Sequence, residues 1–410
     1  MFAALRERDF RLLFLGQSFS LLGSAVTTVA MAFAVYEIGG SNTAVGVVLA
    51  AALVPVILFL LVGGVWSDRL PRQWVMLLSD VVRFACQVAM AALLITHAAT
   101  VWELAVLQFV RGTAEAFFRP AQTGLVPQTV SPENLQQANA LRGLTESIGV
   151  MVGSAVGGLL VATIGAGWAI GLDGVTYLVS AGFLWELRSL PQGPTSEAAD
   201  FLSDLRDGWR EFVSRTWLWV MVALAAAFHL LIMAPLMVLG PKVADTILGG
   251  AAAWGAVMAA LGAGEIVGGI VGLRLKPARP LLLCGWLGVI ECPLFIVFAV
   301  DPDIEMLIPM ALLAGVSAAL VTVLWETTLQ EQIPPEALSR VSAFDWTGSM
   351  AFYPLGLILA GPLAAVLGLN GAFALSATVA LASAIIEIAL PDIRRVRGRA
   401  VRRRLVEQEA

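Results

Sequence analysis

Apolar runs long enough to cross a bilayer recur from one end of this chain to the other. The clearest, Ala44–Trp66, carries no charged residue. A spanning helix needs about 20 mostly apolar residues, and the short breaks between runs leave room for about twelve such helices in 410 residues. A transmembrane β-barrel would instead show short alternating strands. Only 13% of the residues are charged, against roughly 25% in soluble domains, and mean hydropathy is +0.85. These values exclude a water-soluble enzyme, a disordered chain and a nucleic-acid binder. Cys86, Cys284 and Cys292 all fall inside apolar runs and read as small packing residues, not as a disulfide set or metal site.

Breakers between the runs place spans near 10–36, 44–66, 74–96, 101–120, 137–164 and 168–188, then 217–240, 251–273, 280–300, 304–326, 340–367 and 371–391. This predicts an all-α membrane protein of twelve helices in two pseudo-symmetric bundles. Residues 1–188 form the first six-helix bundle and 217–391 the second. A polar cytoplasmic linker with a short interfacial helix occupies 189–216, and 392–410 form a basic cytoplasmic tail. The charged segment Met1–Asp9 precedes an apolar run too long for a signal peptide, so the first helix is expected to be retained. With the N-terminus inside, every Lys and Arg falls in an inside segment except Lys242 and the intramembrane Arg83, Arg111 and Arg142. The positive-inside rule therefore puts both termini in the cytoplasm. The tail, Arg394–Arg404, is suited to anionic lipid headgroups.

The two halves repeat. Gly153, Gly158 and Gly165 return as Gly356, Gly361 and Gly368, and Gly112 and Ala116 as Gly315 and Ala319, all at an offset of 203. The loop Ser131-Pro132-Glu133-Asn134-Leu135 returns in the same register as Pro334-Pro335-Glu336-Ala337-Leu338. Parallel repeats with a substrate path between them describe a secondary transporter.

Three motifs carry a family resemblance. Gly64-x-x-x-Asp68-Arg69-x-x-Arg72, in the loop after the second span, resembles motif A of the major facilitator superfamily. Gly149-x-x-x-Gly153-Ser154-x-x-Gly157-Gly158 resembles the antiporter motif of that family, with Ser154 where proline is usual; its spacing alone signals close helix packing. Arg111-Gly112 stands where motif B carries a buried arginine. Gly16-Gln17-x-x-Ser20-x-x-Gly23-Ser24, Asp80-x-x-Arg83 and Ala116-Phe117-Phe118-Arg119-Pro120-Ala121 are similar to the bacterial branch of macrolide and siderophore exporters. The resemblance implies a gating latch at motif A and export of amphipathic compounds driven by inward proton movement.

An ionisable side chain at the bilayer centre costs at least about 2.5–3.5 kcal/mol, so each needs a partner or a task. Arg111 and Glu115 lie four apart on one helix, and Arg142 and Glu146 four apart on the next. Each pair can meet along one helical side, and together they form a candidate proton-coupling cluster or a static packing network. Asp80 and Arg83, three apart, read as structural. Glu265, Glu291, Asp345 and Glu387 have no basic partner evident on their own helices; Glu291 and Asp345 join the coupling candidates. In the resembled family the first, fourth, seventh and tenth spans line the cavity. That nominates Gln17, Ser20, Ser24, Glu115, His229, Met233, Thr322 and Trp325 for the substrate path.

The leading expectation is a monomeric multidrug-type efflux antiporter of the cell inner membrane, exchanging protons for small amphipathic molecules without a cofactor, metal or nucleic acid. An importer, an uncoupled facilitator and a non-transporting accessory protein of the same fold are the alternatives. No nucleophile pair, metal-ligand spacing or phosphate loop suggests an enzyme.

Overall fold

The computed structural model describes residues 3–187 and 201–398, without the side chains of 60–69 and of a few positions within 132–140, 201–207 and 335–340. Among the described residues all regular structure is helical. The first part runs α1 (Arg8–Glu37), α2 (Asn42–Arg69), α3 (Arg72–Ile95), α4 (Val101–Thr129), α5 (Leu135–Ile164) and α6 (Ala166–Trp185). The second runs α7 (Phe201–Val213), α8 (Thr216–Phe228), α9 (Ala234–Val243), α10 (Ala251–Gly272), α11 (Pro280–Val300), α12 (Ile304–Gln332), α13 (Pro335–Met350), α14 (Tyr353–Ala389) and α15 (Pro391–Arg395). Among the described residues ten stretches are long and apolar enough to cross a membrane. α4 is not among them, because Glu103, Arg111, Glu115 and Arg119 lie along it.

Local chemistry explains the boundaries. Thr100 and Glu103 form a reciprocal capping box that starts α4. Pro280, Pro335 and Pro391 open their helices at the first turn, where a missing N–H costs nothing. α4 continues through Pro120 and Pro127 to Thr129, well beyond the end read from the apolar run. α8 and α9 join through a π-turn at His229–Met233, and a second π-turn at Ala244–Leu248 extends the helix further. The span starting at Thr216 thus reaches Leu248. Gly165 (φ +84°, ψ 163°) separates α5 from α6, and its repeat partner Gly368 (φ +75°, ψ 168°) interrupts α14. Only glycine adopts such φ values cheaply, so the 203-residue repeat is preserved at the level of backbone conformation.

The chain forms two compact units. Among the described residues the first comprises 3–187, 238–259 and 357–362; the second comprises 201–237, 260–356 and 363–398. In the first, Phe10, Leu13, Met76, Leu125 and Leu184 are buried in one cluster. In the second, Leu218, Leu281, Val341 and Ile393 sit in another, which ties the last helix α15 to the body of the unit. α7 joins it too: Trp209 stacks on Phe212, and both rings contact Phe344 of α13. Inside a bilayer, lipid is as apolar as a leucine side chain, so helices associate through close packing and polar contacts. Glycine supplies the packing. A Cβ on Gly112 would fall 2.0 Å from the carbonyl oxygen of Ala52, and one on Gly315 would fall 2.0 Å from that of Leu261.

Candidate substrate and coupling site

The first unit encloses a cavity of about 480 Å³ lined by α1, α2, α4 and α5, with Arg83 reaching it from α3. α1 presents one face to it: Gln17, Ser20, Ser24 and Thr27 recur at the three- and four-residue spacing of a helical stripe. α4 contributes Gln108, Arg111, Glu115, Arg119 and Gln122, and α5 contributes Arg142, Thr145 and Glu146. Phe14, Met31, Leu49, Leu53 and Val56 complete the wall with apolar surface. The space therefore offers both contact area for a hydrophobic body and fixed charges for polar groups.

All four members of the expected cluster, Arg111, Glu115, Arg142 and Glu146, line this cavity, but their pairing differs from the expectation. Glu115 accepts from Arg83 Nη1 of α3 at 2.7 Å and from Arg119 Nε at 2.8 Å. Arg111 instead donates to Gln108 at 2.6 Å. Arg83 also pairs with Asp80, and its guanidinium lies 3.8 Å from the ring centre of Phe118 and 4.6 Å from that of Tyr177. The reason is spatial. Asp80 and Arg83 are 0% and 3% exposed, and a charge so deep must be matched on several sides. The i,i+4 rule sees only one helix and so missed the arginine arriving from the neighbouring one.

Behind the α1 stripe lies a second polar layer that sequence reasoning overlooked. Asp173 of α6, 1% exposed, accepts from Thr27 Oγ1 at 2.7 Å, from Gln87 and from Thr176. Ser24 Oγ and the Tyr177 hydroxyl share a hydrogen bond of 2.9 Å. Gly23 makes room for this layer, since a Cβ there would meet Asp173 Oδ1 at 2.3 Å. The available signal was an aspartate within the otherwise apolar run Gly167–Trp185, which the cost of an intramembrane charge marks as functional.

The remaining nominees are distributed as follows. Gln17 is hydrogen-bonded to Gln122 across the cavity wall. Arg72 donates to the carbonyl of Gly124 at 2.7 Å, and Gly124 must lack a Cβ for the guanidinium to reach it. The side chains of Asp68 and Arg69, and the surroundings of Gly64, lie outside the described residues. Gly149, Gly153 and Gly157 press α5 onto α1 at Leu21, Leu22 and Val26. Gly158 faces Gly255, a Cβ on either falling 2.8 Å from the other's Cα, and the buried Ser154 turns its carbonyl oxygen to Gly255, where a Cβ would meet it at 2.7 Å. These glycines therefore act as helix-packing elements.

His229, Met233, Thr322 and Trp325 belong to the second unit and are not part of this cavity's lining. His229 Nδ1 is 2.8 Å from the carbonyl of Ala225, and its ring lies edge-on to Tyr353. Thr322 donates to its own helix. Trp325 Nε1 donates to Asp345 at 3.0 Å, so Asp345 has an indole partner. Glu291 accepts from Ser317 at 2.9 Å. Glu387 packs its Cβ against Gly285, and Glu265 is also partnered. The three cysteines are free and buried. Among the described residues no His, Cys, Asp or Glu group could hold a metal ion.

The Major Facilitator Superfamily pattern matches residues 13–344. Macrolide efflux protein A of Streptococcus pyogenes is 24% identical over 402 residues, covering 94% of this chain and 97% of that protein. The enterobactin exporter EntS of Shigella boydii is 29% identical over 367 residues, covering 87% and 86%. A bacterial homologue of the human lysosomal transporter Spinster superposes with a TM-score of 0.69 at 17% identity, covering 96% of each chain. A POT family transporter reaches 0.73 at 11% identity, covering 95% and 97%.

Proposed function

This chain belongs to the Major Facilitator Superfamily, a family of membrane transporters, and from that premise we propose that it exports small amphipathic molecules across the cytoplasmic membrane by proton antiport with alternating access. The observation that carries the reading is the mixed wall of the first unit's cavity, where apolar surface stands beside the Arg83–Glu115–Arg119 network, Arg111, Arg142 and Glu146. Met31 adapts to substrates of varied shape and Phe14 adds flat apolar area, while the charged groups orient the polar parts of a bound molecule. Both similar relatives named above are described as exporters, one of macrolides and one of enterobactin, which favours efflux over uptake.

Counting α4 and dividing the last long stretch at Gly368 brings the ten apolar stretches to twelve crossings, with both termini cytoplasmic. The chain acts as a monomer, its basic tail resting on anionic lipid. The test is transport of erythromycin, a macrolide probe, into everted membrane vesicles carrying an imposed pH gradient. Uptake that collapses with the gradient supports antiport; uptake indifferent to it identifies an uncoupled facilitator. Glu115→Gln and Glu146→Gln abolish gradient-driven uptake at unchanged expression, and wild-type rates in both would remove these carboxyls from coupling.

A further inference from the structure

We propose that Asp173 is the carboxyl on which the coupled proton resides, and that Thr27 is its route to the cavity; this deepens the antiport reading and rests on it. Two carboxyls on the cavity wall have arginines for neighbours. Glu115 is gripped by two guanidinium groups, and Glu146 lies within electrostatic reach of Arg119 and Arg142. Asp173 differs. Its hydrogen-bond partners, Thr27, Gln87 and Thr176, are all neutral, and it sits one side chain behind the cavity surface.

The groups around it come from four helices. α1 offers Gly23 and Thr27, neither titratable. α3 offers Gln87, with Arg83 and Asp80 one and two turns away and already paired to each other. α4 offers Arg111, which acts on Asp173 through space while its Nε stays on Gln108. α6 itself offers Thr176 and Tyr177. Among the described residues no cation is hydrogen-bonded to the carboxylate, so a proton can bind there without first displacing one.

Thr27 completes the path. A hydroxyl has one hydrogen and two acceptor positions. Here the hydrogen goes to Asp173 Oδ2 and one acceptor position takes Gln87 Nε2 at 3.0 Å. The second acceptor position is left for the cavity, whose wall includes Thr27. A hydronium in the cavity gives its proton to Thr27 Oγ1 as that oxygen passes its own hydrogen to Asp173 Oδ2. One O–H bond forms and one breaks at Thr27, water is left behind, and Asp173 becomes neutral. Reversal at the other face of the membrane returns the carboxylate. Neutralising Asp173 removes one of the carboxylates that Arg111 feels, leaving Glu115 as its remaining counter-charge; the cavity wall becomes more positive by one charge, which disfavours a cationic or positively dipolar substrate and promotes its release.

Infrared difference spectroscopy of the purified chain in lipid nanodiscs, between alkaline and acidic buffer, reads this site without any substrate. The wild type should show the carbonyl stretch of a buried protonated carboxyl that shifts on ¹³C-aspartate labelling, is absent from Asp173→Asn and persists in Glu115→Gln. Thr27→Val should keep the band at equilibrium but slow its appearance after a pH jump at least tenfold. A band that ignores the aspartate label, or survives in Asp173→Asn, overturns the proposal; so does a Thr27→Val jump as fast as wild type. If Asp173→Asn fails to fold, the labelled wild type and Thr27→Val decide. In weak buffer, erythromycin should release protons from wild type and none from Asp173→Asn, although it still quenches tryptophan fluorescence in both. An aspartate band without erythromycin-linked release would count against antiport while leaving the proton site intact.

Discussion

Arg83 offers the sharpest test of how the first unit holds charge within the membrane. Replacing it with methionine keeps much of the side chain's bulk and contact with Phe118 and Tyr177 but strands two carboxylates. Asp80 is fully buried, and Glu115 is 20% exposed and keeps Arg119. The loss therefore falls mainly on Asp80. Breaking a buried ion pair from one side costs about 3–5 kcal/mol, and Arg83→Met should sit within that range. Asp80→Asn alone should cost less, because Arg83 keeps Glu115. The double variant should recover part of the loss, with a coupling energy of about 1–3 kcal/mol, as expected for residues in one network. Arg83→Lys keeps the charge but not the planar fork that reaches Asp80 and Glu115 together, so it should fall between wild type and methionine. Unfolding in mixed detergent micelles, followed by tryptophan fluorescence, supplies the four corners of the cycle. Additivity to within about 0.5 kcal/mol would refute the idea that Asp80, Arg83 and Glu115 act as one unit.

Other consequences are simpler to measure. Gly112→Ala places a methyl where a carbonyl oxygen stands 2.0 Å away; α2 and α4 must separate, and the monodisperse fraction on fluorescence-detected gel filtration should drop severely, whereas an unchanged elution profile would contradict the close approach. Glu7 anchors the start of α1 by accepting from the backbone N and hydroxyl of Ser131 and from Asn134, and the hydrogen bonds from Asn134 and Ser131 hold its pKa below the ordinary value of 4.5. A lowered folded-state pKa contributes stability that is present above the unfolded value and lost as pH falls through the folded one. The melting temperature of wild type should thus exceed that of Glu7→Gln at neutral pH, with the gap closing below about pH 4.5; a gap constant with pH would argue against the anchor. Trp325→Phe deprives the Asp345 carboxylate of its indole donor and should lower stability by about 1–3 kcal/mol in the same unfolding assay, a loss that Asp345→Asn should not compound.

What the sequence disclosed and what it hid divide along a physical line. Apolar runs, helix starts at Pro280 and Thr100, and the break at Gly165 and Gly368 depend on neighbours along the chain, and these features were readable there. The span 137–164 corresponds to α5 within two residues. The end of α4 was misjudged because Pro120 and Pro127 look like stops, yet packing carries the helix through both. Pairings across helices were not readable. Arg83 and Glu115 are 32 residues apart and Thr27 and Asp173 are 146 apart, and periodicity says which face a residue occupies but not which helix that face meets. Arg111 and Glu115 share an i,i+4 spacing that is real, but Arg119 offers the same spacing on the other side and Arg83 completes the grip. The π-turn at His229 left no signal beyond the nearby Pro235.

The matched glycine contacts of the two units have one more consequence. Gly112 against Ala52 and Gly315 against Leu261 are approaches of backbone to backbone, so the crossing they create makes no demand on the residues around them. Under the same 203-residue offset Arg111, Glu115 and Arg119 correspond to Ala314, Ala318 and Thr322. One copy of a duplicated scaffold has thereby been free to gather ions along its fourth helix, while the other keeps nearly the same helix crossing with small, uncharged side chains. Architecture and chemistry are stored in separable parts of the sequence, and charge can be added to or removed from one copy without rebuilding the frame that holds it.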